Sequence, residues 1–124
     1  MTTPQSTPSS MSLTVSIDGR PMTVELYDNA AARDLLGMVP LTVTLRDDAS
    51  QEKIASLPQA LDTTGAPCSA KPQVGELGYF VPDQVLVLYY GDVAAYPGIV
   101  RPGRFTTSLD PVKPLPDGTS MQLG

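Results

Sequence analysis

The sequence predicts an all-β, antiparallel domain with one short helix. Three observations predict it: short stretches in which apolar and polar residues alternate, turn residues that separate them at close intervals, and a single segment with helix-capping chemistry. Many short strands with frequent turns point to a barrel or a sandwich. A chain of 124 residues has room for one domain and can bury a core without covalent staples.

Ser12 to Ile17 places Leu13, Val15 and Ile17 on one face and Ser12, Thr14 and Ser16 on the other, the pattern of a half-buried strand. Asp18-Gly19 is a two-residue hairpin signal. Met22, Val24 and Leu26 then return against Thr23 and Glu25, with Pro21 at the strand start, where a missing N–H is tolerated. Asp28 or Asn29 caps a helix over residues 30–36, and Gly37 and Pro40 bracket its end. Leu41, Val43 and Leu45 alternate with Thr42 and Thr44 as a third strand, followed by a turn over Asp47 to Ser50. Residues 53–57 are short and ambiguous, closed by Pro58, and Asp62 to Gly75 is a loop rich in Thr, Gly, Pro and Ser.

Glu76 to Val81 and Val85 to Tyr90 are two further strands around Pro82-Asp83-Gln84. The second is apolar on consecutive positions, so burial on both faces is expected. Between Tyr96 and Pro116 stand five prolines, Pro97, Pro102, Pro111, Pro114 and Pro116, which leave only Phe105-Thr106-Thr107 as material for a central strand. Asp117-Gly118 turns into a last strand, Thr119 to Leu123. Residues 1–11, rich in Ser, Thr and Pro, read as a disordered lead-in, and residues 12–124 as the domain.

Several function classes are excluded on composition. Asp and Glu number 13 against 8 Lys and Arg, without a basic cluster, so neither a nucleic-acid backbone nor an anionic membrane surface is an expected partner. The acidic balance favours solubility and leaves the oligomeric state open. No stretch approaches the roughly 20 apolar residues of a membrane helix, and the N-terminus lacks the basic start and apolar run of a secretory signal. One cysteine, Cys68, permits no internal disulfide, which suits a cytoplasmic location. Histidine is absent, which removes Ser-His and Cys-His nucleophile activation and the commonest metal ligand. Neither a Gly-rich phosphate loop nor a calcium-loop spacing is present, so no cofactor or metal is expected.

What chemistry remains lies with Asp, Glu, Tyr and Arg. Tyr79, Tyr89, Tyr90 and Tyr96 combine apolar bodies with polar tips and suit either a cavity lining or plain core and rim packing. Tyr89 and Tyr90 face opposite sides of one strand and cannot line the same cavity. Asp92, after Gly91, is a general base if desolvated and otherwise a turn residue; Glu76 after Gly75 carries the same ambiguity. Arg104, near Arg101, either clamps a carboxylate of a ligand or forms a salt bridge to Asp83, Asp92 or Glu76. Convergence of Asp92, Tyr96 and Arg104 would make a histidine-free acid-base site. Cys68 has only Lys71 nearby to lower its pKa and reads as passive.

Lys53-Ile54-Ala55-Ser56-Leu57-Pro58, Leu61-Asp62-Thr63-Thr64-Gly65-Ala66-Pro67, Gly75-Glu76-Leu77-Gly78-Tyr79-Phe80-Val81-Pro82, Tyr90-Gly91-Asp92 and Pro102-Gly103-Arg104 stand in the order in which a bacterial family of small cyclophilin-like domains carries its motifs. The chain resembles that family over residues 12–124. The resemblance implies a closed antiparallel cyclophilin-like β-barrel of about eight strands with one or two short helices, one covering an end, a closure that removes sheet edges. Two departures stand out: Asp83-Gln84-Val85 where the family often has Trp-Gly-Asn, and Tyr96-Pro97-Gly98-Ile99 where it often has Tyr-Ser-x-Gly-Leu.

Cyclophilins isomerise X-Pro bonds with an arginine on a barrel strand, an apolar floor for the proline, and a glutamine. Their hallmark histidine and tryptophan have no counterpart here, and Arg46 in Thr44-Leu45-Arg46 is only a positional stand-in for the arginine. The expected function is therefore a binding module for a small molecule or extended peptide, held in the barrel mouth or a surface groove by Arg46, Tyr79, Asp83, Gln84 and Tyr90, without true prolyl isomerase activity. The alternatives are a cofactor-free isomerase or cyclase working through Asp92, Tyr96 and Arg104, and a weak prolyl isomerase.

Overall fold

The structure, a computed structural model, describes residues 11–124. The expected lead-in lies outside the described residues except for Met11, which opens the first strand. In chain order the elements are β1 (Met11–Ile17), β2 (Arg20–Leu26), α1 (Ala30–Met38), β3 (Leu41–Asp48), β4 (Glu52–Ser56), β5 (Ser69–Ala70), β6 (Glu76–Phe80), β7 (Val85–Tyr89), β8 (Tyr96–Pro97), β9 (Ile99–Phe105) and β10 (Thr119–Leu123). Single 3₁₀ turns occupy Val81–Asp83 and Asp110–Val112.

Eight strands close a barrel in the order β1-β10-β3-β4-β7-β6-β9-β2, and β5 and β8 form a separate two-stranded ladder. Every neighbouring pair is antiparallel. The alternating residues behave as their pattern requires: Leu13, Val15 and Ile17, Met22, Val24 and Leu26, Val43 and Leu45, and Met121 and Leu123 all point into one buried core. Asp18 and Gly19 both take positive φ, 52° and 78°, the conformation whose twist matches a two-residue antiparallel hairpin.

Asn29 caps α1, its side-chain oxygen accepting the Ala32 N–H at 2.9 Å. Ala31, Ala32 and Leu35 add the helix's buried face to the barrel core. Because β2 ends and β3 begins at one end of the barrel, the helix between them lies at that end. The ambiguous segment is strand β4, and β3 runs on through Asp47 and Asp48, which pair with Lys53 and Glu52; the turn narrows to residues 49–51.

The proline-rich stretch behaves differently from expectation. Ile99–Phe105 is a central strand that contains Pro102 and pairs with both β2 and β6. The reason is a bulge: the β6 pairing jumps from Leu77↔Gly103 to Tyr79↔Val100, so Arg101 and Pro102 together oppose Gly78. Pro102 sits where the ladder is interrupted and needs no N–H, while its carbonyl accepts the Tyr27 N–H at 2.8 Å.

β7 is buried along its whole length, as its sequence predicts. Leu86 and Leu88 enter the barrel core. Val85, Val87 and Tyr89 face outward and form a second apolar cluster with Ile54, Phe80 and Val93. That outer cluster is what positions the candidate site.

Candidate functional site on the outer face of the barrel

A groove of about 310 Å³ opens over the outer cluster. Its floor is Ile54 from β4 with Val85 and Val87 from β7. Its walls come from Phe80 and from the segment carrying Val93, Ala94 and Tyr96. Tyr96 is exposed and leans on Phe80, ring centroids 6.0 Å apart. The covering segment is tied down by the Ser69↔Pro97 and Ala70↔Tyr96 ladder and by the Gly98 N–H donating to the Cys68 carbonyl at 3.1 Å.

Three carboxylates rim the groove: Asp48, Glu52 and Asp83. Glu52 lies opposite Asp48 across β3–β4 and opposite Tyr89 across β4–β7. Burial, then the charge and hydrogen bonding of Asp48 and the charge of Asp47, push the Glu52 carboxyl up to about 7. Tyr89 is almost fully buried and its hydroxyl has no hydrogen-bond partner among the described residues. Burial pushes its phenol well above the ordinary tyrosine range, and the Glu52 and Glu76 carboxylates add to this. The ring can lie flat on β6 because the residue beneath it is Gly78; a Cβ there would stand 2.3 Å from a Tyr89 ring carbon.

A second hollow, about 420 Å³, lies beside the start of α1, between Tyr27, Asn29, the loop at residues 63–67 and Arg101. Ile99 lines both hollows. The charged groups here satisfy one another. Arg101 donates from Nε and Nη2 to the two Glu76 carboxylate oxygens at 2.8 and 2.7 Å. The Tyr27 hydroxyl donates to Glu76 Oε2 at 2.6 Å and the Gln73 N–H to Oε1 at 2.6 Å. Burial alone would raise Glu76, but Arg101, Tyr27 and Gln73 together hold it below the usual glutamate range. Tyr27 is pushed up to about 12 by burial and by the Glu76 carboxylate that accepts its hydrogen bond. The Arg101 guanidinium also lies 6.0 Å from the Tyr27 ring centroid, and its carbonyl accepts the Asn29 side chain at 3.1 Å.

The residues expected to converge do not. Asp92 is exposed and pairs with Lys71 at 3.1 Å. Arg104 pairs with Glu25 at 3.0 Å across β2–β9, not with Asp83, Asp92 or Glu76. Of that trio only Tyr96 reaches the groove: Arg104 is engaged by Glu25 on β2 and Asp92 by Lys71. Of the expected ligand-binding residues only Asp83 lines the groove. Tyr79 is a core residue whose hydroxyl accepts the Leu61 N–H at 3.2 Å. Gln84 holds the exit of β4, donating from its side chain to the Leu57 carbonyl at 2.8 Å and accepting the Leu57 N–H at 3.0 Å. Tyr90 turns the other way from Tyr89 and donates to Asp47, with the Lys53 ammonium 5.9 Å from its ring. Arg46 is exposed on β3 beside a separate shallow hollow with Ser56 and Asp117.

The groove residues Glu52, Ile54, Phe80, Val85 and Val87 carried one usable signal, the unbroken apolar run of β7, whose alternate residues had to be covered outside the barrel. Tyr27 and Arg101 carried none, because their partner Glu76 is chosen by the bulge. Among the described residues no group of three or more His, Cys, Asp or Glu is placed to hold a metal ion, and no helix is long and apolar enough to cross a membrane.

No curated protein sequence matches the chain. The fold is similar to that of a hypothetical protein from Archaeoglobus fulgidus known from a solution structure, with a TM-score of 0.72 and 19% sequence identity over 92% of this chain and 93% of that one. The sequence profile of the cyclophilin-like family matches residues 15–123. With the eight-stranded closed barrel, that match assigns the chain to the cyclophilin-like family.

Proposed function

We propose that the protein is a binding module that takes a small organic molecule in the groove on the outer face of its barrel. The observation that carries this is the outward-facing trio Val85, Val87 and Tyr89, apolar on a face that most barrel strands turn to solvent. The barrel interior is filled by its own side chains, which argues against a ligand in the mouth. A groove of this size, mostly apolar with a few placed polar groups, suits a fragment-sized ligand. Prolyl isomerisation is not part of the proposal: no arginine lines the groove, and Arg46 lies elsewhere.

The test is a fragment screen read by methyl NMR. Ligands that shift the Ile54, Val85 and Val87 methyls support the reading, and a Val87→Asp variant that stays folded should lose them. Hits confined to other methyls would refute it.

A second reading rests on Glu52. A carboxyl titrating near 7 in a partly apolar groove suits general acid-base catalysis. On this reading Glu52→Gln would abolish turnover of an uncharged groove-bound compound while leaving its binding intact.

A further inference from the structure

We infer that the occupant of the outer groove is a small organic cation, an ammonium group carried on an apolar body; this rests on the groove being the binding site. Three features of the groove point to it. The first is charge without compensation. Asp48, Glu52 and Asp83 all line the groove, and no lysine or arginine does. None of the three carboxylates forms an ion pair among the described residues. The two nearest lysines are engaged elsewhere. Lys53, next to Glu52 in sequence, points to the opposite face and binds the Leu115 carbonyl at 2.7 Å and Asp47 at 3.3 Å. Lys71, at the edge of the covering segment, binds Asp92 and the Val93 carbonyl.

The second feature is the Tyr89 hydroxyl. The residue is 2% exposed, lines the groove, and offers an oxygen that no described group satisfies. Buried polar atoms are ordinarily paired, so an orphan in a groove wall marks where a ligand donor belongs. Glu52 is the cross-strand neighbour of Tyr89, so its carboxylate and the Tyr89 side chain line the same groove. An ammonium offers three donors and no acceptor, which matches a wall of acceptors.

The third feature is aromatic. Tyr96 overhangs the groove with its ring largely exposed, tilted 49° to Phe80, and a cation is attracted to such a ring face. The rest of the lining, Ile54, Val85, Val87 and Val93, is apolar and would hold the body that carries the charge.

The experiment compares three isosteric probes, 3-phenylpropylamine, 3-phenylpropanol and 3-phenylpropionate, titrated against the full chain at about pH 8, where Glu52 is ionised. Binding is read from the Ile54, Val85 and Val87 methyl shifts. The expected result is that the amine binds at least about tenfold more tightly than the alcohol and that the carboxylate does not bind. In Glu52→Gln, whose folding is checked by its methyl spectrum, the preference for amine over alcohol should shrink to about threefold or less while the alcohol binds as before. Equal binding of amine and alcohol by the unaltered chain would overturn the cation inference and leave the groove as the binding site. Failure of all three probes to shift these methyls would overturn both. A Phe-Lys dipeptide amide, blocked at its N-terminus and binding about tenfold more tightly than the free amine, would replace the small molecule with a peptide side chain.

Discussion

Glu52 and Asp48 are direct cross-strand partners, two carboxylates set face to face with no cation between them. Burial, and then the repulsion and hydrogen bonding of Asp48, hold Glu52 protonated into the neutral range.

Stability should therefore fall as pH rises toward neutrality. Glu52 ionises near its ordinary value when unfolded and at about 7 when folded. Between those values the folded chain binds more protons than the unfolded chain, so stability decreases with rising pH until about 7 and is level above it. Glu52→Gln should remove that slope and gain about 1 kcal/mol at about pH 8, a figure kept small because the group is partly solvated. Urea unfolding at a series of pH values measures it; an unchanged slope in the variant would assign the effect to other groups.

Gly78→Ala should cost about 1–3 kcal/mol, because the new methyl would meet the Tyr89 ring at 2.3 Å. Tyr89→Leu in the same chain should recover most of that loss. A double-mutant cycle by thermal or chemical unfolding gives the coupling, and additive effects would mean the ring simply moves aside.

Removing Arg101 should be among the most damaging single changes at this face. Arg101→Met strands the nearly fully buried Glu76 carboxylate without its bidentate partner, at a cost of about 2–4 kcal/mol. Adding Glu76→Gln should restore part of it, since the buried charge goes as well. In the unaltered chain Glu76 contributes stability that is present above the ordinary glutamate range and lost as pH falls through its depressed folded value. Acid unfolding of the Glu76→Gln chain should accordingly be shallower.

Asn29→Ala removes both the cap of α1 and the bond to the Arg101 carbonyl, and should cost about 1–2 kcal/mol. Asn29→Asp keeps the cap acceptor and loses only the donor to Arg101, so it should recover more than half. Equal losses would mean the Arg101 bond carries the effect.

Most of the barrel was legible because its signals are local. The β1–β2 hairpin is written in the alternation of Ser12 to Ile17 and of Met22 to Leu26 on either side of Asp18-Gly19, and β10 in Asp117-Gly118 followed by Thr119 to Leu123. β9 was not legible, because a proline inside a central strand is permitted only by a bulge that depends on the partner strand. The same bulge decides that Arg101 rather than Arg104 meets Glu76, although Arg104 is the residue in register with it. The groove was half legible. Tyr96 and Asp83 stand out in the sequence, one as a tyrosine and one in a departure from the family pattern, but Glu52 borders a segment that reads ambiguously, and its role follows from the β3–β4 pairing.

Because β7 is apolar on both faces, its own side chains do little to prevent a one-residue slip. Such a slip would exchange Val85, Val87 and Tyr89 for Leu86 and Leu88 at little hydrophobic cost. The notch that Gly78 leaves under Tyr89 supplies what hydrophobicity does not: only one alignment seats the ring. Gly78 thus acts as a keyway for the sheet, and a residue with no side chain decides which face of β7 becomes the floor of the groove.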